Sequence, residues 1–166
     1  MRIMVVGAKS AGKSTFSNKL SKKLGIPIVH IDAMVNAVGR NNNKEAEELI
    51  KREADKPDWI LDGNSFTRDR SYRIQKADYI ILFKISPFKS FFAHIYRWFE
   101  EKRGKDTERF GRSEGLHLGF AFNFAFRRWP KREKEIVADV KAFNKKLIVI
   151  RNFKEADALV EQPLFL

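Results

Sequence analysis

Lys13 and Ser14 close the run Gly7-Ala8-Lys9-Ser10-Ala11-Gly12-Lys13-Ser14-Thr15, whose residue types and spacing match G-x-x-x-x-G-K-[ST]. A loop of this kind turns successive backbone N–H groups inward around an anion, and the helix behind it adds the positive end of its dipole. Lys13 would reach the β- and γ-phosphates of a nucleoside triphosphate such as ATP, and Ser14 would set a hydroxyl on Mg²⁺. The loop from Gly7 to Thr15 would hold the nucleotide. The competing explanation is a glycine-punctuated strand-to-helix turn with an exposed lysine. The apolar run Ile3-Met4-Val5-Val6 directly before Gly7 favours the phosphate loop, because that motif needs a strand feeding it.

Holding a triphosphate does not say what is done with it, so the carboxylates come next. Asp62 follows Trp59-Ile60-Leu61 and precedes Gly63, a position at the C-terminal edge of a sheet where it would hold Mg²⁺ directly or through water. A turn aspartate before glycine is the plainer alternative. Asp32 closes Val29-His30-Ile31-Asp32 in the same way; it would orient an acceptor or serve as a general base, or else cap a following helix. His30 reads as a packed or surface imidazole. His94 and His117 have no partner at ligand spacing. Because phosphoryl transfer rests on positioning and charge stabilisation, arginines supply the rest. Arg97, Arg103 and Arg112 are candidates for the transferring phosphate, and Arg40 and Arg68 for gripping an acceptor.

Those residues need a scaffold. Apolar and β-branched runs over Arg2 to Val6, Ile28 to His30, Trp59 to Leu61, Tyr79 to Phe83 and Leu147 to Ile150 alternate with helical periods. That alternation predicts a parallel α/β sheet covered on both faces. The first helix should run from about Gly12 to Leu24 and stop at Gly25, ahead of Pro27. Ala46, Leu49, Ile50 and Ala54 mark an amphipathic helix from Asn43. Another should start with Pro130 at its first position and bury Ile136, Val137, Val140 and Phe143. The last, Phe153 to Val160, has Asn152 as cap and Glu155 at capping-box spacing. The glycine-punctuated, charge-mixed stretch from Glu101 to Gly115 lacks an apolar period and reads as a lid, spanning about residues 101–118. Phe120 to Trp129 alternates like a strand, yet its place before a proline-started helix favours a helix with a buried aromatic face.

The 166 residues suit one domain, and the net charge of +12 favours anionic partners. A basic enzyme with polyphosphorylated substrates and a nucleic-acid-binding protein both satisfy that charge. The cluster Arg127-Arg128-Trp129-Pro130-Lys131-Arg132 offers cations and an aromatic to a nucleic-acid backbone and base. There is no cysteine, which removes disulfides, thiolate nucleophiles and cysteine metal sites. No apolar run approaches a bilayer span and the chain opens on a strand, so a cytoplasmic protein is the expectation.

Taken together, four segments resemble a known family. They are Lys23-Leu24-Gly25-Ile26-Pro27-Ile28-Val29-His30-Ile31-Asp32, Asp58-Trp59-Ile60-Leu61-Asp62-Gly63-Asn64, Ala77-Asp78-Tyr79-Ile80-Ile81 and Arg128-Trp129-Pro130. The chain resembles the small P-loop proteins known as DNA topology modulation proteins, themselves similar to adenylate kinase. The resemblance implies a P-loop NTPase fold, a five-stranded parallel sheet in the order 2-3-1-4-5 between helical layers, with an arginine-bearing lid. It implies that Asp62-Gly63 lies near Mg²⁺ and the acceptor, and that Asn152 and its neighbours face the adenine. The chain departs from the family after Asp32, where the expected tryptophan and proline are missing, and after the fourth strand, where Lys84-Ile85-Ser86-Pro87-Phe88-Lys89 keeps the proline but lacks the neighbouring aspartate and arginine. The expected activity is ATP-dependent, Mg²⁺-requiring phosphoryl transfer to a small acceptor, a nucleotide or nucleoside first. The alternative is a nucleotide-dependent nucleic-acid-binding or regulatory protein.

Overall fold

The computed structural model describes residues 1–39, 43–64, 69–103 and 118–162. Its centre is strand β1 (Arg2–Gly7), whose Ile3, Met4, Val5 and Val6 are all buried. A strand apolar on both faces can only sit inside a sheet covered on both sides, and β1 pairs in parallel with β3 (Trp59–Asp62) on one edge and β4 (Tyr79–Phe83) on the other. Strands β2 (Ile28–His30) and β5 (Lys146–Ile150) complete the order β2-β3-β1-β4-β5, every pair parallel. This is the predicted sheet, and its edge strands are the less buried ones.

Helix α1 (Lys13–Leu24) buries Phe16 and Leu20, and the Phe16 ring meets Phe83 of β4 edge-on with centroids 5.2 Å apart. Burying an aromatic or aliphatic side chain of this size contributes roughly 1.5–3 kcal/mol. The helix stops where expected: Gly25 has φ 67°, and its N–H returns to Ser21 O at 2.9 Å. Helix α3 (Asn43–Ala54) also falls where its apolar period places it, with Ala46, Ile50 and Ala54 fully buried. Helix α8 (Phe153–Glu161) begins at Asn152, whose Oδ1 accepts from Glu155 N at 3.0 Å.

Three local expectations need correction. Strand β2 ends at His30 and Ile31 opens helix α2 (Ile31–Val38), so Asp32 stands in the first turn of a helix and neither closes a strand nor caps a helix. A carboxylate there faces the positive end of the helix dipole. Helix α4 (Arg70–Lys76) was not anticipated, being barely two turns. Finally, α5 (Pro87–Lys102) is followed by α6 (Leu118–Asn123), which runs through a π-helical stretch, Phe124–Arg128, into α7 (Trp129–Ala142). The proline does not start a fresh helix. Trp129 N–H bonds five residues back to Phe124 O, and this widened turn accommodates Pro130, which lacks an N–H and crowds the preceding turn.

The aromatic segment is helical as expected but only partly inward-facing. Phe124 and Trp129 are buried and stacked at 6.4 Å, whereas Phe122 is 51% exposed. In α7, Ile136 and Val140 are buried, and Val137 and Phe143 pack against the core. Among the described residues no helix is long and apolar enough to cross a membrane.

Candidate active site

The loop leaving β1 is shaped by its glycines. A Cβ on Gly7 would lie 2.5 Å from Phe83 Cβ and 3.0 Å from Phe83 O, so only glycine permits β1 to run this close to β4 before turning. Ser10 has φ 59° and Gly12 φ 85°, two left-handed residues within one short loop. For Ser10 that conformation is strained, the kind of outlier that gathers at ligand-binding sites. Gly12 is also the N-cap of α1, with no side chain capping the helix and no acidic residue in its first turn. The N-terminal amides of α1 therefore receive no capping oxygen from the N-cap residue, and their dipole suits an anion. Lys13 is nearly buried, and its Nζ donates to Ala8 O at 2.8 Å, folding the ammonium over the loop. Lys9, Ser10 and Ser14 are half-buried, Thr15 is exposed, and Ala8 and Ala11 are buried against the core.

Two carboxylates meet this loop. Asp62 ends β3 in register with Val5 of β1 and is 3% exposed. Its Oδ2 accepts from His30 Nδ1 at 2.9 Å, while Oδ1 is buried with no hydrogen-bond partner. His30 is the packed imidazole that the sequence suggests, its side chain 14% exposed, and its packing partner is Asp62. The two are paired in the β2–β3 register, so their side chains share a face at the ends of neighbouring strands. Asp32 lies beside them: a Cβ on Gly63, at φ 134°, would come within 3.4 Å of Asp32 Oδ1. Asp32 keeps an exposed surface, yet protein crowds its other sides. That crowding pushes its carboxyl above the ordinary 3.8; Lys13 pulls the other way, Asp62 adds to the push, and Arg73 and Lys9 oppose it. Lys13 and Asp62, both distant from Asp32 in the sequence, thus act on it electrostatically.

Asp62 Oδ1, an unpaired buried acceptor beside a phosphate loop, fits a hard divalent cation. Among the described residues no group of three or more His, Cys, Asp or Glu could hold a metal. A lone carboxylate would hold Mg²⁺ only with further ligands from phosphates and water.

Other residues, not singled out beforehand, support these. Asn64 takes both polar groups of Gly7: Gly7 N donates to its Oδ1 at 3.1 Å, and its Nδ2 donates to Gly7 O at 2.7 Å. Arg73 is fully buried, paired with the equally buried Asp69 at 2.5 Å, and donates to Gly63 O at 3.2 Å and Asn64 O at 3.3 Å. Burial pulls the Arg73 guanidinium below its usual value, and Asp69 works against that. From the other side, Ser90 of α5 donates its hydroxyl to Lys9 O. Phe153 rests on the loop as well; a Cβ on Gly12 would lie 2.8 Å from its Cε1. Asn152 and its neighbours are expected at the nucleotide chiefly through their backbone; the Asn152 side chain is engaged with Glu155, and the neighbouring Phe153 is the one that touches the loop.

The arginines are mostly out of view. Arg40, Arg68 and Arg112 lie outside the described residues, as does most of the expected lid, and of Arg97 only its place on α5 is described. Arg103 is exposed just past α5, 3.6 Å from Glu100. In the basic cluster Arg127 and Arg128 are exposed, but Trp129 is 3% exposed and stacked on Phe124, which leaves it no face for a base.

A parallel sheet in this order, with a glycine-rich phosphate loop after its central strand and Asp62 at the end of the neighbouring one, is the P-loop kinase fold. Solved structures agree. A shikimate kinase from Bacteroides thetaiotaomicron has a TM-score of 0.63 at 11% identity, with 98% of this chain and 95% of that one covered. A deoxyadenosine kinase from M. mycoides, solved with bound dCTP, gives 0.56 at 17% identity over 99% and 98% of the two chains. Shikimate kinase from Aquifex aeolicus gives 0.58 at 17% identity over 99% and 94%. At such identities the likeness is one of fold. No protein-family model matches the chain. No curated protein matches it either.

Proposed function

We propose that this protein is an ATP-dependent, Mg²⁺-requiring kinase of a small-molecule acceptor, with a nucleotide or nucleoside the first candidate. The observation that carries the reading is the arrangement at one edge of the sheet: Asp62 ends β3 beside β1, Lys13 folds onto the loop that leaves β1, and Asp32 lies against Gly63, next to Asp62. A structural turn needs none of this arrangement. Kinases of small acceptors are also what the solved structures of this fold named above are, and the resemblance to the topology modulation proteins and adenylate kinase agrees.

The loop amides and Lys13 would bind the donor phosphates, Lys13 exchanging Ala8 O for a phosphate oxygen. Ser14 and Asp62 would hold Mg²⁺, which when bound neutralises negative charge on the phosphates. Asp32, its carboxyl already raised, is suited to take the proton from an acceptor hydroxyl as that oxygen bonds to the γ-phosphorus and ADP leaves. Arg97, Arg103 and Arg112 remain candidates to steady the transferring group, Arg40 and Arg68 to grip the acceptor, and Asn152 with Phe153 to face the base. A cytoplasmic location suits a protein working on ATP.

A coupled assay with ATP and Mg²⁺ across nucleosides, nucleotides and small metabolites tests the reading. We expect ADP release that depends on one acceptor class and is lost in Lys13→Ala and Asp62→Asn, both still folded. Wild-type turnover in both variants refutes the site, and no binding of ATP or GTP by calorimetry refutes the function.

A further inference from the structure

The geometry points to Asn64 as a positioning residue that ties the entry of the phosphate loop to the buried Arg73–Asp69 pair, an inference that rests on the kinase reading. The backbone ladder between β1 and β3 ends with Gly63 N donating to Val5 O at 3.2 Å. Two residues further along β1, where another rung would fall, the partner of Gly7 is a side chain. Asn64 accepts from Gly7 N–H and donates to Gly7 C=O. A primary amide is the side chain suited to this, since it carries a donor and an acceptor as a peptide group does. Asparagine therefore lengthens the ladder by one rung after the backbone has turned away at Gly63, whose φ of 134° allows the turn. The first residue of the phosphate loop is thereby held from β3 as well as from β4.

The other end of Asn64 is held too. Arg73 donates to the main-chain carbonyls of Gly63 and Asn64, and is itself paired with Asp69 inside the protein. One continuous bracket thus runs from Asp69 through Arg73 and Asn64 to Gly7. Order at the entry of the phosphate loop thus depends on the buried Arg73–Asp69 pair through Asn64. Loss of the Asn64 amide leaves Gly7 without its partner and frees the loop entry, so nucleotide binding must then supply that ordering itself.

The test is calorimetric binding of Mg·ATP, without acceptor, to wild type, Asn64→Leu, Asn64→Gln and Arg2→Ala. Leucine keeps the approximate size and removes both hydrogen bonds; glutamine keeps the amide on a longer arm. Arg2→Ala breaks the Arg2–Asp78 contact of 2.9 Å at the opposite end of β1 and controls for general destabilisation. We expect roughly tenfold weaker binding in Asn64→Leu, the loss of two hydrogen bonds of ordinary net strength, partial recovery in Asn64→Gln, and wild-type affinity in Arg2→Ala. Asn64→Leu binding within twofold of wild type overturns the inference and leaves the kinase reading standing, whereas a wild type that binds no nucleotide removes both. If Asn64→Leu does not fold, amide exchange in the wild type decides: Gly7 N–H and the Asn64 amide protons should exchange slowly before nucleotide is added, and fast exchange overturns the inference.

Discussion

Replacing Arg73 with methionine separates what holds the protein together from what holds the site in shape. Arg73 and Asp69 are both fully buried and form an ion pair. Removing one partner of such a pair strands the other charge, which costs about 3–5 kcal/mol. For a chain of 166 residues, each kcal/mol moves the midpoint of thermal unfolding by about 2–4 °C, so Arg73→Met should unfold roughly 6–20 °C below wild type. Adding Asp69→Asn removes the stranded charge and should restore most of that loss. It cannot restore the two hydrogen bonds from Arg73 to Gly63 O and Asn64 O. Thermal unfolding and Mg·ATP affinity should therefore part company: the double variant approaches wild-type stability while its affinity stays several-fold low. A single variant within about 1 kcal/mol of wild type would refute the energetic argument, because a buried pair cannot be broken so cheaply. A double variant with full affinity would refute the positioning argument and leave Arg73 a purely structural cation.

Asp32→Asn should abolish turnover while raising the unfolding midpoint at pH 7. The folded carboxyl lies above its ordinary 3.8 because crowding disfavours its charge, so its ionisation opposes folding. That penalty is complete above the folded value and gone below 3.8, and the gain from asparagine should fade over the same window as pH falls; a gain that grows toward low pH would overturn the assignment. In the wild type the acid limb of the rate profile should lie above 3.8, since a protonated Asp32 accepts no proton. Gly12→Ala should weaken Mg·ATP binding by about tenfold, because a left-handed alanine costs about 1–2 kcal/mol. Adding Phe153→Ala clears the 2.8 Å contact and should recover little of it; full recovery would mean that space, rather than backbone conformation, makes Gly12 a glycine.

Much of the scaffold was legible because it rests on short-range rules. Gly25 and Asn152 mark helix ends through their own conformation and hydrogen bonds, and the structure uses both as caps. Buried parallel strands are nearly uninterrupted apolar runs, which is why β1, β3 and β4 stand out. What was misread lies where a local rule meets a packing demand. Ile31 looks like one more strand residue, but it is the fully buried first residue of α2. The π-helical stretch has no signature in composition, arising where a continuous helix must carry Pro130.

The site divides along the same line. The phosphate loop is contiguous, so residues and spacing announce it. Asp62 and Asp32 stand out as candidates because the C-terminal edge of a parallel sheet is where ligands gather, although Asp32 arrives there on a helix. The residues that steady them are recognisable only through pairing across the sheet. His30 becomes Asp62's partner once β2 and β3 are aligned in register, and Asn64 becomes a rung only once β1 ends beside it. Arg73 would be taken for a surface cation of a basic chain until Asp69 is found buried against it. A parallel sheet thus presents its reactive groups in sequence motifs and hides their supports in registers. Supports of that kind are what a substitution away from the motif would disturb first, and Asn64 and Arg73 are the two positions where this chain should reveal it.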